Sequence, residues 1–447
     1  MNKKVIIIIV SIALIIGIVL VVILLSNPKP SPKNINLVIW DPFDTKEEWQ
    51  PFIDGYKKYL TENKISQEVN ITFVKKDYQN LEDYEKDFTN AIADGKGPDI
   101  FLIKNDWLPK HYKKILPLPE KIISRKEYEK RFLPSVLDEQ IKYKFNEQKN
   151  IYGIPLTVDA LMLIYNPQKI ITNETITWPP DTWEQFIAAT TTSTKREGNT
   201  IIQSGVALGT YNNVPHAFDI LSLMMLQNGT QMVSDNEEEA YFNRFETRNN
   251  QDYYPGTAAL KMYTAFASPK SQAYSWNSSM PNALDAFLGG KTAMFLGYPE
   301  DIQTILKENP NQSLNTCPVP QVKRGDKNNY LSFWMYSVSK NCQNPEMAWN
   351  LLNFITSEQG SQLLTDYYSK KDNLCIPSVT AIKASGQAKP AAEYAETAQS
   401  WYKGDALKME NIFSKMITSV NNNQPPQAAI DAAAKEADNL FKEIKSE

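Results

Sequence analysis

Two loops combine acidic and aromatic side chains at places where ligands commonly bind. Residues 41–45 and 104–109 each contain an acid and an aromatic ring, and each follows a strand-like apolar segment. Asp159 interrupts another apolar run, where a lone carboxylate is costly to bury unless a ligand or a partner satisfies it. These positions predict polar contacts to a ligand beside an aromatic surface.

The sequence gives little indication of a metal site and lacks the common catalytic motifs. The two histidines, His111 and His216, lie far apart without HExxH spacing, which disfavours a histidine-rich metal centre. The chain has no GxSxG elbow, P-loop or GxGxxG motif. Cys317, Cys342 and Cys375 contain no CxxC pair and are expected to be small buried residues, although the sequence leaves one disulfide of unknown pairing open. We therefore predict no metal ion and no cofactor.

The first part of the chain has the alternating pattern of an open parallel sheet. Strand-like runs at 35–40, 69–74 and 99–103 enclose amphipathic helical stretches at 47–60 and 81–92. This β-α-β-α-β order predicts an α/β fold with helices on both faces of the sheet. Ligands of such sheets bind beyond the carboxyl ends of the strands, which is where both loops lie.

Length and composition indicate how many domains the chain forms and which class of protein it belongs to. The chain has 447 residues, of which 42% are hydrophobic and 22% charged, as in an ordinary globular protein of two or three domains. A second region, about 154–296, has its own strands and helices, and an amphipathic helix at 425–444 closes the chain. The formal net charge of −4 disfavours generic nucleic-acid binding.

The amino terminus predicts a membrane anchor. Residues 5–25 are apolar except for Ser11, and as a helix they are long enough to cross the roughly 30 Å hydrocarbon core. Two lysines precede this run, so residues 1–4 are expected in the cytoplasm and the body outside the membrane. Residues 26–34 form a Pro-rich linker. A cleaved signal peptide is the alternative, but its apolar region usually has only about 7–15 residues.

Six phrases in chain order carry a resemblance to a known family. The chain resembles the extracellular solute-binding proteins of ABC importers, in particular the maltose- and oligosaccharide-binding type, over nearly all of residues 35–445. The phrases are LVIWDPFD (37–44), AIADGKGPDIF (91–101), YGIPLTVDALMLIYN (152–166), TWEQF (182–186), AFLGGKTAMFLGYPED (286–301), and SFWMYSVSK followed by NPEMAWNLLNFITS (332–357).

The resemblance implies a periplasmic-binding-protein-like architecture. Two lobes with open, doubly wound α/β sheets would be joined by three hinge crossovers over a central cleft, and ligand binding would close the lobes. We expect crossovers near 154–158, 295–297 and 333–338. The expected first lobe comprises 35–153 and 297–334, and the second comprises 154–296 and 335–447.

The same resemblance implies a set of ligand-binding residues. Sugar recognition uses aromatic faces against the rings, and carboxylates and amides for the hydroxyls. A lysine that commonly follows the second acid of the first loop is Thr45 here. Packing is the alternative role for several of the tryptophans. The candidates are Asp41, Asp44, Asp106, Trp107, Asp159, Asn213, His216, Trp276, Tyr298, Trp334 and Trp401.

The resulting functional expectation is a membrane-anchored, extracytoplasmic binding protein. It would capture a small solute, expected to be an oligosaccharide, as a monomer and deliver it to an ABC permease without catalysis. A glycoside hydrolase is an alternative, because sugar cleavage also needs carboxylates and aromatic rings in a cleft. A cell-surface sugar sensor that uses the same cleft is another.

Overall fold

A computed structural model describes residues 33–65, 67–172, 177–198, 200–372 and 374–446. The predicted membrane-spanning segment 5–25 lies outside these ranges. Within them, no helix is both long and apolar enough to cross a membrane.

Strands and helices alternate through most of the described chain. The strands are β1 (Lys33–Asp41), β2 (Gln67–Lys75), β3 (Ile100–Lys104), β4 (Ile115–Leu116), β5 (Thr157–Ala160), β6 (Met162–Tyr165), β7 (Lys195–Glu197), β8 (Thr200–Ala207), β9 (Glu246–Arg248), β10 (Gln251–Tyr253), β11 (Thr292–Gly297), β12 (Asn315–Pro318), β13 (Leu331–Ser332), β14 (Trp334–Ser339) and β15 (Ile376–Pro377). The helices are α1 (Lys46–Glu62), α2 (Leu81–Ala93), α3 (Leu108–His111), α4 (Arg125–Arg131), α5 (Pro134–Ile141), α6 (Trp183–Ser193), α7 (Ala217–Gln227), α8 (Pro255–Ala265), α9 (Ala283–Leu288), α10 (Pro299–Glu308), α11 (Pro345–Thr356), α12 (Ser361–Lys370), α13 (Lys389–Ala395), α14 (Ala406–Asn421) and α15 (Pro426–Ser446).

The first lobe is built on a five-stranded sheet in the order β2-β1-β3-β14-β4. β1 is parallel to β2 and β3, which confirms the predicted β-α-β-α-β order. α1 begins with a capping box between Thr45 and Glu48, and its buried face includes Trp49 and Tyr56. These local signals fix the loop after β1 against the sheet, where two of the candidate acids lie.

The second lobe is built on a sheet in the order β12-β6-β11-β8-β7. β11 lies at its centre, antiparallel to β6 and parallel to β8. The carboxyl-terminal helices α14 and α15 pack against each other and against α8. α10 follows β11 directly, so its first turn faces the cleft.

A small three-stranded sheet, β13-β5-β15, joins the two lobes and is called the hinge sheet here. β5 pairs antiparallel with both neighbours. The chain passes from one large sheet to the other beside each of these strands. β5 overlaps the crossover predicted near 154–158. β13 ends at Ser332, one residue before the crossover predicted at 333–338.

The crossover expected at 295–297 is corrected by the strand pairing. These residues end β11, which has strands hydrogen-bonded on both sides. An apolar run of this kind is equally typical of a central strand, and only the pairing distinguishes the two. The third crossing lies instead at β15.

The expected lobe assignment changes accordingly. β12, from the stretch 297–334, belongs to the second sheet, whereas β14 belongs to the first. α11 and α12 pack on α1 in the first lobe. The chain therefore re-enters the first lobe at β14 and leaves it again near β15. Cys317, Cys342 and Cys375 are free and buried, as predicted.

Candidate ligand-binding site

A cavity of about 400 Å³, the main cavity, lies in the cleft between the lobes. Its size falls within the range typical of small-molecule sites. The loop after β1, the hinge strand β5, the start of α10 and the end of α12 all contribute walls. Its lining residues are Asp41, Pro42, Phe43, Asp44, Leu102, Leu156, Thr157, Asp159, Glu300, Gln303, Trp334, Tyr336, Tyr367, Lys371, Leu374 and Cys375.

The first wall of the main cavity holds two buried acids. The Asp41 carboxylate accepts the backbone N–H groups of Phe43 at 2.7 Å and Asp44 at 2.9 Å, which forms an Asx turn at the strand end. The Tyr336 hydroxyl also donates to Asp41. Burial, with Asp44 nearby, raises the pKa of Asp41 to about 7.

Asp44 is held by groups from a distant helix. The Tyr367 hydroxyl donates to its carboxylate at 2.9 Å, and the Lys371 ammonium binds the other oxygen at 2.9 Å. The same ammonium lies 3.2 Å from Glu48. Both acids of this loop are therefore satisfied by protein donors, and they shape the cavity wall around a rigid turn.

Asp159 faces the cavity from the hinge sheet without such support. It is half-buried on β5, and no described residue makes a hydrogen bond or ion pair with its carboxylate. Desolvation in the cleft and the Glu300 carboxylate raise its pKa to about 8. Glu300 is an exposed residue in the first turn of α10 and lines the same cavity.

An aromatic surface borders these acids. Trp334 is half-buried at the start of β14, and its ring meets that of Phe43 edge to face at 4.9 Å. Phe43 is 47% exposed. Trp107 lies behind Trp334, with ring centroids 5.1 Å apart, and is itself buried. Trp107 thus supports this surface and lines a second, smaller cavity of the cleft, whereas Phe43 and Trp334 line the main cavity.

A second cavity of about 140 Å³, the side cavity, lies in the same cleft beside Asp106 and His216. The Asp106 carboxylate binds the Lys403 ammonium at 2.8 Å and that of Lys104 at 3.7 Å. Burial opposes its ionisation, but both lysines together hold the pKa of Asp106 below its usual range. Its Oδ1 atom is buried and has no hydrogen-bond partner among the described residues.

His216 forms the opposite wall of the side cavity. Its Nε2 atom lies 2.9 Å from the Asp301 carboxylate, and its ring meets that of Tyr298 at 4.7 Å. Burial alone would lower the pKa of His216, but Asp301 and Glu300 raise it to about 9. The imidazole is therefore protonated at neutral pH and forms an ion pair within the second lobe.

Four predicted ligand residues line neither cavity and serve the second lobe instead. Asn213 donates to two backbone carbonyls and accepts the Trp276 Nε1–H at 3.1 Å. Trp276 is fully buried. The Tyr298 hydroxyl donates to Asp219 at 2.9 Å, and the Trp401 indole donates to Ser222 at 3.1 Å. Their polar groups are used within the protein, which corrects the expectation that they face the ligand.

The comparisons with known proteins agree with this geometry. Residues 44–362 match the profile of a family described as bacterial extracellular solute-binding protein, and this match spans more than half of the chain. The chain belongs to this family. The predicted resemblance is thereby confirmed.

Solved structures share the fold of this solute-binding protein. A cyclic α-maltosyl-1,6-maltose binding protein from Arthrobacter globiformis is 16% identical, with a TM-score of 0.70 over 92% of this chain and 100% of that chain. The sugar-binding protein MalE from Xanthomonas citri is 15% identical, with a TM-score of 0.70 over 92% of this chain and 98% of that one. A Thermotoga lettingae solute-binding protein bound with α-D-tagatose is 20% identical, with a TM-score of 0.59 over 91% and 100%.

Sequence reasoning missed several lining residues of this solute-binding protein. Phe43 and Glu300 lie inside two of the phrases that carried the resemblance, so their neighbours in those phrases could have drawn attention to them. Tyr336, Tyr367 and Lys371 reach the loop after β1 from segments about 300 residues away. Tyr336 also lies inside one of those phrases, but no local pattern marks the long-range contacts of these three residues.

We expect the stability of the protein to depend on Asp159 between pH 5 and 8. Its folded pKa of about 8 exceeds the usual 3.8, so the folded state retains a proton that the unfolded state has lost. The contribution of Asp159 to the free energy of unfolding therefore falls as pH rises through this window. Urea denaturation of the wild type should show a more negative pH slope than that of Asp159→Asn. Equal slopes would contradict the assignment.

Proposed function

We propose that this protein captures a carbohydrate in the main cavity and delivers it to an ABC permease at the membrane. The observation that carries the proposal is the exposed Phe43 ring and the half-buried Trp334 ring beside carboxylates, inside a cavity between two hinged lobes. Aromatic rings suit the apolar faces of sugar rings, and carboxylates accept hydrogen bonds from sugar hydroxyls. No catalytic step is part of the proposal.

The proposed cellular position follows from the sequence before Lys33. An apolar segment at 5–25 would hold the protein in the membrane, and the linker 26–34 would keep the body outside it. An extracytoplasmic body is in keeping with the family.

Protease shaving of intact cells should release the body and leave the amino-terminal fragment in the membrane fraction. Recovery of a soluble form that begins near Asn27 would count against the anchor.

A thermal-shift panel tests the binding function. The protein is heated with neutral sugars, polyols, amino acids and phosphate esters, each at a range of concentrations. A ligand at 100 times its dissociation constant should stabilise the fold by about 2.7 kcal/mol. A response confined to amino acids or phosphate esters would refute the carbohydrate proposal.

We expect ligand binding to reduce the radius of gyration of the body. The lobes are joined by three short hinge strands, so a solute that touches both walls of the main cavity favours the closed arrangement. Small-angle scattering of the body with and without a sugar from the panel measures the change. An unchanged radius with a saturating, confirmed ligand would show that the lobes do not close on it.

A further inference from the structure

We propose that the captured solute carries a protonated amine, as an amino sugar does, and that this group lies between Asp159 and Glu300 in the main cavity. The inference rests on the proposed function, because it describes the solute of the same cleft. It adds a charge requirement that neutral sugars do not meet.

The first support is the difference between the acids of the main cavity. Asp41 and Asp44 accept hydrogen bonds from tyrosine hydroxyls, and Asp44 also binds an ammonium group. Asp159 and Glu300 have no hydrogen-bond or ion-pair partner for their carboxylates among the described residues, although both line the cavity. In the empty cleft water supplies donors to these two groups, and a solute that displaces this water must supply donors in its place.

The second support is that the two acids reach the same cavity from different parts of the fold. Asp159 belongs to the hinge sheet and Glu300 to the second lobe, and the Glu300 charge raises the pKa of Asp159. Like charges in one cavity repel each other more strongly as water is excluded, so Asp159 keeps a proton in the empty cleft. An ammonium group bound there would offset the repulsion and allow Asp159 to release that proton. An ammonium group supplies a positive charge and three donors, whereas a hydroxyl supplies one donor and no charge.

Nearby cations do not already provide this charge. His216 and Lys104 both act on the pair, but His216 is bound to Asp301 and Lys104 to Asp106. The cleft also contains Asp219, a further acid whose charge helps to raise the pKa of Glu300. Lys371 is engaged by two other acids of the first lobe. The balance of charge around the pair remains negative.

The adjoining side cavity also offers a hydrogen-bond acceptor without a partner. The Asp106 side chain is 4% exposed, and its Oδ1 atom has no hydrogen-bond partner among the described residues. A buried carboxylate oxygen of this kind is costly unless a donor reaches it. The cleft thus offers unsatisfied acceptors in both cavities and an aromatic surface at Trp334, an arrangement that suits a ring with amino substituents.

Calorimetry with matched sugars tests the inference on the full-length protein in detergent at pH 6. The probes are glucose, glucosamine and N-acetylglucosamine, together with cellobiose, the chitosan disaccharide and N,N′-diacetylchitobiose. Within each series only the group at carbon 2 changes, from hydroxyl to amine to acetamide. We expect at least one amine to bind tenfold or more tightly than its hydroxyl partner. Spermidine is included as an amine without a sugar ring.

The outcomes separate the two proposals. Neutral sugars that bind as tightly as the amines would overturn the charge requirement and leave the carbohydrate function in place. Binding of spermidine alone would support the amine and overturn the carbohydrate. No binding by any probe would overturn both.

Charge-neutral variants locate the amine. Asp159→Asn and Glu300→Gln should each reduce the preference for the amine over the hydroxyl sugar by about tenfold, with little change for the neutral sugar. Glu308→Gln is the matched control, because Glu308 is an exposed acid at the far end of the same helix. A preference unchanged in both cavity variants would place the amine elsewhere and overturn the inference.

Discussion

Asp106→Ala is expected to lower the free energy of unfolding by about 3–5 kcal/mol, the range found when one partner of a buried ion pair is removed. The Lys403 side chain is 0% exposed and lies 2.8 Å from the Asp106 carboxylate. Aromatic rings of Phe218, Tyr330 and Trp401 surround it. Without Asp106, the ammonium would stay in this enclosed position without its closest counter-charge. Urea denaturation at pH 7 measures the loss.

Two variants distinguish an unpaired charge from a general packing defect. Asp159→Ala removes another acid of the cleft, but one without a protein partner, so the free energy of unfolding should be unchanged or slightly higher. Lys403→Met in the Asp106→Ala background removes the orphaned charge and should restore much of the lost stability. If Asp106→Ala unfolds at the wild-type urea concentration, the ion pair does not stabilise the fold.

The contacts around Lys403 also connect the two lobes. Three residues of the segment 400–405 bind residues of the first lobe. The Ser400 backbone N–H donates to Glu139. Lys403 forms an ion pair with Asp106, and Asp405 forms one with Lys110. The segment then continues into α14 of the second lobe. Damage at Asp106 therefore weakens the attachment of one lobe to the other, and its effect on binding is secondary to its effect on folding.

Asp106 also shows what the sequence can and cannot reveal. Asp106 follows a predicted strand, and this position alone indicated that it lies in the cleft. Strands and helices can be predicted in this way because their sequence patterns are local. The partner of Asp106 lies 297 residues further along the chain, so the ion pair that buries it was invisible. The sequence therefore suggests a ligand contact where the structure has a buried ion pair. The crossover at 295–297 failed for the same reason, since strand pairing is non-local.

Local signals gave better predictions. The pattern of strands and helices from β1 to β3 is as expected, and the cysteines are buried and unpaired. Trp276 and Trp401 were assigned to the ligand by their position in the resemblance alone. Their indole N–H groups bind protein acceptors in the second lobe, a contact that residue type does not encode.

Trp334→Ala is expected to weaken binding of a sugar from the panel about thirtyfold. The ring is half-buried at the edge of the main cavity, between the exposed Phe43 ring and the supporting Trp107 ring. Aromatic anchors in this position commonly contribute about 2 kcal/mol or more to binding, which corresponds to about thirtyfold in the dissociation constant. Calorimetry measures the change, and circular dichroism shows whether the variant is folded.

Trp276→Phe is the control for Trp334→Ala, because it should lower the stability of the protein without changing its affinity for the ligand. Trp276 is fully buried in the second lobe, and its indole donates to Asn213 at 3.1 Å. Its loss removes one of the two donors to the Asn213 carboxamide oxygen, the other being the Thr210 hydroxyl, and leaves a gap in the core, so the free energy of unfolding should fall by about 1–3 kcal/mol. The affinity of the folded variant should match the wild type, because the ring touches neither cavity. If Trp334→Ala binds like the wild type while Trp276→Phe weakens binding, the ligand does not lie against Trp334, and the main cavity is not the binding site.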